Sequence, residues 1–134
     1  MPLQDDASIP DEALLLRVLR LDWAIEKSGR RRPASYAFID SNWETSLFIN
    51  ALGILEELRR LFPGLEVASV PSRVLRENGF AVARRPAECP EDFRGDSNNH
   101  VVIGPSKDVT RNEYERNARA VAKHPDTHIL PSAD

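Results

Sequence analysis

A histidine delivered to an apolar run by a polar loop is the first place in this sequence to look for chemistry. Asp96-Ser97-Asn98-Asn99-His100 leads directly into Val101-Val102-Ile103. Imidazole takes or gives a proton near neutral pH, and a neighbouring carboxylate such as Asp96 can orient it. His100 is therefore the candidate proton carrier, with Asp96, Asn98 and Asn99 as candidate ligand contacts. The competing reading is turn chemistry, in which Asp, Ser and Asn bond back to their own backbone and His100 merely fills a strand edge. Turn chemistry alone explains most of these residues.

The second cluster is cationic. Arg30-Arg31-Arg32-Pro33-Ala34-Ser35 reads as a basic loop entering a strand, able to grip a phosphate or carboxylate with bidentate guanidinium forks. Arg30, Arg31, Arg32 and Ser35 are thus candidate anion ligands, and Arg17 is a further candidate clamp should the protein be an enzyme. The plainer alternative is a solvated loop making surface pairs with Glu26 and Asp40. Asp40-Ser41-Asn42-Trp43-Glu44 could hold Mg²⁺ or Ca²⁺ through oxygens, but it lacks the EF-hand spacing and reads better as a hairpin turn. His124 and His128 are separated by Pro125 and Asp126, which breaks the helical spacing a zinc pair needs. Cys89 is flanked by Glu88 and Glu91, which disfavour a thiolate nucleophile. No phosphate-binding loop, dinucleotide fingerprint or nucleophile elbow is present. Neither a metal nor a cofactor is expected.

These residues must be positioned by a small set of elements. Pro10-Asp11-Glu12, with Ser8 and Asp11 spaced as a capping box, suggests a first helical turn. Residues 14–27 read either as a helix or as a strand over about 14–20, with a slight lean to the strand. Residues 29–33 read as a loop, 35–39 as a strand, 40–44 as a hairpin loop and 45–49 as a strand. Asn50 caps a helix over about 51–62, with Ile54, Leu55, Leu58, Leu61 and Phe62 on one face. Strands follow over 65–70 and 80–84, with a short helix opened by Pro71 and closed by Asn78-Gly79 between them. Residues 86–99 form one long loop. A strand over 100–103, a helix over about 111–123 capped by Thr110 and Glu113, and an edge strand over 127–130 complete the order. The expectation is an α+β fold: a single domain over 10–131 with a mostly antiparallel or mixed sheet and about three helices, preceded by a frayed segment 1–9.

Composition bounds the function classes. The chain has 134 residues, 41% hydrophobic and 29% charged, with a net charge of −3. Bulk charge argues against nonspecific nucleic-acid binding. The longest apolar runs fall far short of the roughly 20 residues a bilayer span needs, and the acidic start lacks a signal-peptide pattern. The single cysteine forms no internal disulfide, and a cytoplasmic location is expected. Fifteen Arg stand against three Lys, a bias that suits phosphate and carboxylate recognition if any of it is functional.

Two resemblances follow from quoted segments. Arg31-Arg-Pro-Ala-Ser-Tyr-Ala-Phe38, Thr45-Ser-Leu47 and Asn98-Asn-His-Val-Val-Ile-Gly104 together resemble a family of small uncharacterised bacterial proteins. That resemblance spans most of residues 10–130 and implies a bacterial origin but no activity. A fainter one, to ADP-ribosyltransferase-like toxin domains, rests on Leu16-Arg17-Val18 for the first-strand arginine and on Ser35 for a later strand serine. The glutamate of that pattern has no counterpart. The sequence thus points first to a non-enzymatic accessory or interaction module, holding a protein partner or small anionic ligand on an Arg-bearing surface. The alternative is a small enzyme on a nucleotide or phosphorylated substrate, with His100 and Arg17 in its site. A structural subunit of a homo-oligomer is the third possibility.

Overall fold

The ambiguous run after Ala13 is a strand, β1 (Leu14–Leu19), in the computed structural model, which describes residues 2–131. Leu15 and Leu19 enter one apolar core and Leu16 a second on the opposite face. Burial on both faces accounts for the unbroken leucines, since such a strand has no polar side to alternate with. The other strands are β2 (Ala24–Lys27), β3 (Arg30–Pro33), β4 (Thr45–Ile49), β5 (Glu66–Pro71), β6 (Phe80–Arg84), β7 (His100–Pro105) and β8 (His128–Ile129). Six of them form a sheet in the order β6-β7-β4-β1-β5-β8, with every pairing antiparallel. The domain is α+β, as expected.

Three helices cover the sheet: α1 (Ile54–Leu61), α2 (Ser72–Glu77) and α3 (Arg111–Lys123). The larger core joins β-strand side chains to Val74 and Leu75 of α2 and to Tyr114, Ala118, Val121 and Ala122 of α3. The smaller core, on the opposite face, joins Leu16, Phe48 and Val67 to Ile54 and Leu58 of α1. The capping box of α3 is formed as its sequence indicates: Thr110 Oγ1 accepts from the Glu113 amide, and Glu113 accepts from the Thr110 amide.

Several local expectations are corrected. The Arg30–Pro33 segment is a strand rather than a loop. It pairs with β2 across a two-residue turn in which Ser28 and Gly29 both have positive φ, 54° and 76°. That is the mirror-image turn that matches strand twist in tight hairpins. Residues 35–38 form a 3-10 turn, not a strand, which lets the consecutive Ala37 and Phe38 both be buried. Residues 40–44 are no hairpin loop, because β4 pairs with β1 and β7. Residues 10–13 close one hydrogen-bonded turn, Ala13 amide to Pro10 carbonyl, but no helix follows and no capping box forms: the Ser8 amide and hydroxyl both bond Asp6, and the Asp11 carboxylate accepts from Arg76. The cap of α1 is Gly53, at φ 83°, whereas Asn50 spends its amide on Leu14. Segment 1–9 was expected to fray, yet its described residues, 2–9, are tied to the sheet. The Leu3 amide bonds Pro105, the Asp6 amide bonds Val82, and Ile9 is fully buried. The Asp6 amide and the Asp5 carboxylate, which accepts from the Val82 amide, partner the outer edge of β6, which would otherwise present unpaired backbone groups. Met1 lies outside the described residues.

Candidate functional site

The site originates in a parting of two strands. β1 and β4 are in register only at Leu15/Ile49 and Leu16/Phe48. Beyond that point β1 follows β5 as far as Leu19/Glu66, and β4 follows β7 as far as Thr45/Ile103. Carbonyls in such a wedge need donors that the missing ladder no longer supplies. Arg17 provides them: its Nε donates to the Ala37 carbonyl at 2.8 Å and its Nη1 to the Ser46 carbonyl at 3.1 Å. The guanidinium lies 5.0 Å from the Trp23 ring centre, and Arg20 lies 5.2 Å from the same ring.

Arg17 has no carboxylate partner among the described residues. Burial pulls its pKa down to about 10, with Arg20 acting in the same direction and the charge of Asp40 opposing. A half-buried cation that bonds only neutral carbonyls among the described residues keeps part of its desolvation cost uncompensated. Two of its five N–H groups bond protein carbonyls, which leaves donors for a ligand.

A groove of about 250 Å³ opens beside this arginine. Arg17, Arg20 and Trp23 form one end. Phe48, Phe62, Leu65 and Pro90 form apolar walls, and Ser46, His100 and Glu88 also line it, the Glu88 carboxylate being paired with Arg85 at 2.9 Å. His100 opens β7 and is 1% exposed, so it forms the floor rather than a strand edge. Two hydrogen bonds tie it to Arg85: the Arg85 amide donates to the His100 carbonyl at 2.9 Å, and His100 Nδ1 lies 2.7 Å from the Arg85 carbonyl. A carbonyl only accepts, so Nδ1 carries the proton and the neutral ring has its lone pair on Nε2. Nε2 has no partner among the described residues. Phe48 meets the imidazole edge-on, with ring centres 5.1 Å apart.

The structure joins some of the sequence candidates and separates others. His100 and Arg17, 83 positions apart in the chain, line the same groove. Arg30, Arg31 and Arg32 do not. Arg30 donates to the carbonyls of Lys123 and Thr127, Arg31 forms a bidentate pair with Glu66, and Arg32 donates to the Pro33 carbonyl. Ser35 opens the 3-10 turn and is half-buried there, so the toxin-like pattern loses its strand serine. Asp96 caps the 3-10 turn at 97–99 by accepting from the Asn98 amide at 2.9 Å, and its own carbonyl accepts from the Asn99 amide. Asp96, Asn98 and Asn99 therefore serve the turn and do not line the groove.

Residues 86–99 are anchored as well as loop-shaped. Phe93 stacks on Phe48 at 4.9 Å, and Arg60 bridges the Glu57 carboxylate and the Asp92 carbonyl. Cys89 is half-buried against the smaller core, and burial rather than its acidic neighbours pushes its thiol pKa up. Among the described residues, no three His, Cys, Asp or Glu side chains gather as a metal site. Sequence reasoning missed Arg20, Trp23, Phe48, Phe62 and Leu65, which come from separate elements. The one local signal was Arg17-x-x-Arg20-x-x-Trp23, a cationic and aromatic rhythm at the end of a strand. Comparison of the chain with known protein families, curated proteins and solved structures found no match.

Proposed function

We propose that this protein is a binding domain for a small anionic ligand, held in the groove by Arg17 and Arg20 over the His100 floor. The observation that carries the reading is Arg17: a half-buried guanidinium that bonds only carbonyls among the described residues and lines an open groove. An anion there removes the uncompensated charge and gains charge-assisted hydrogen bonds. Arg20, exposed and without a carboxylate partner among the described residues, adds a second cation at the mouth. Calorimetric titration with benzoate and with inorganic phosphate tests this on the parent and on Arg20→Ser. Saturable binding that weakens about tenfold in the variant is expected, the equivalent of one charge-assisted bond. Absence of binding at millimolar anion, or equal affinity and salt dependence in the two proteins, would sink the reading.

A second reading has one observation in its favour. Leu21, next to Arg20, is 86% exposed, and Tyr36, 44% exposed, meets Trp23 edge-on at 6.2 Å. Exposed Tyr36 and Arg20 beside half-buried Trp23, around an apolar side chain, match the composition of protein-binding hot spots. An acidic protein segment would then occupy the same rim. It would lose affinity on Leu21→Ser, a change that leaves benzoate binding unaltered.

A further inference from the structure

We propose that the groove selects planar acids that carry a hydrogen-bond donor at the end opposite the acid group. This rests on the anion-binding reading above and specifies the ligand's other end. Three features carry it.

The first is the tautomer of His100. Because Nδ1–H is committed to the Arg85 carbonyl, the neutral ring offers the groove an acceptor at Nε2. A ligand group against it must donate, so a hydroxyl or N–H fits there and an ether or carbonyl oxygen does not. Leaving that acceptor facing an apolar ligand end would forfeit its solvation without return. The second is the wall. Phe48, Phe62, Leu65 and Pro90 are apolar and include two flat rings, which favour a flat body between the polar ends. The third is size. The groove holds about 250 Å³, below the roughly 300–1,000 Å³ of sites for larger ligands. A single ring with two small substituents is the right scale, and a dinucleotide is not.

Three probes separate the parts: 4-hydroxybenzoate has both ends, benzoate lacks the donor, and 4-hydroxybenzyl alcohol lacks the acid. They are titrated into the full chain by calorimetry at about pH 8. 4-Hydroxybenzoate is expected to bind about tenfold more tightly than benzoate, and at least tenfold more tightly than the alcohol. His100→Asn supplies the second arm. Its amide can still donate to the Arg85 carbonyl, while the Nε2 acceptor is gone. In that variant the preference for 4-hydroxybenzoate over benzoate should collapse to about one. Equal affinities of 4-hydroxybenzoate and benzoate for the parent protein would overturn donor selection and leave anion binding standing. A tenfold preference that survives in His100→Asn would overturn the role given to Nε2. Failure of every acid to bind would remove both readings. Should His100→Asn not fold, the three-probe series on the parent still decides.

Discussion

Arginines occupy two regions of this domain on very different terms. At the β2–β3 hairpin three consecutive guanidinium groups are all committed to protein acceptors: carbonyls at and just past the end of α3, the Glu66 carboxylate and the Pro33 carbonyl. At the parting of β1 and β4, two arginines spaced three apart bond only carbonyls or an aromatic face, and they line an open groove. The dense cluster is structural and the sparse one is available. Clustering in sequence signals local charge density, but what counts for binding is where the backbone places acceptors. A twisted hairpin lying on the end of a helix offers many. A wedge between strands offers two carbonyls and then solvent.

The largest expected effect tests the support beneath the available pair. The groove rests on the smaller core, and Leu58 of α1 is fully buried in it. Leu58→Ala should cost about 2–5 kcal/mol by lost transfer energy and the cavity left behind. Urea melts measure this. A parent-like midpoint would mean that α1 does not hold the groove face.

The next effect belongs to the hairpin. Arg30→Met removes charge-assisted bonds to Lys123 and Thr127, near the C-terminal end of α3 where a cation is also favoured by the helix dipole. About 1–3 kcal/mol of stability should be lost, with benzoate affinity unchanged. Arg20→Ser should do the reverse, with stability within about 0.5 kcal/mol of the parent and anion affinity down about tenfold. If both variants shift the same observable, the division between committed and available arginines is wrong.

How far the sequence could have shown this division depends on range. Elements whose causes are local were legible. The α3 capping box needs only Thr110 and Glu113, and β7 needs only a polar loop followed by Val101–Ile103. The hairpin was missed because Ser28-Gly29 also reads as a helix stop, and the positive φ at Ser28 is imposed by pairing partners on either side. Residues 35–39 alternate like a strand, yet the 3-10 turn buries Ala37 and Phe38 together and leaves the Ala37 carbonyl to accept from Arg17. His100 and Arg17 were singled out separately, one for its loop and one for its strand. Their convergence depends on the order β7-β4-β1, two successive long-range pairings that no local pattern encodes.

The smallest expected effect concerns Arg31 and Glu66, the most conspicuous ion pair of the committed cluster. Both side chains are well exposed, at 48% and 40%. Water screens such pairs, and immobilising two long side chains offsets much of the attraction, so the coupling should be about 0–1 kcal/mol. A double-mutant cycle with Arg31→Ser and Glu66→Gln in urea melts measures it. The pair also predicts a pH dependence with a definite sign. Hydrogen bonding from Arg31 holds the Glu66 pKa below its usual 4.5. A carboxylate whose pKa falls on folding contributes stability that is present above its unfolded value and lost as pH falls through the folded one. The coupling should therefore be present at neutral pH, shrink once the pH drops below 4.5, and weaken with added salt. Benzoate affinity should not change in Arg31→Ser, because Arg31 does not line the groove. A coupling above about 2 kcal/mol would place this pair outside the range of exposed ion pairs. Loss of anion binding in Arg31→Ser would move the functional arginines from the wedge back to the hairpin.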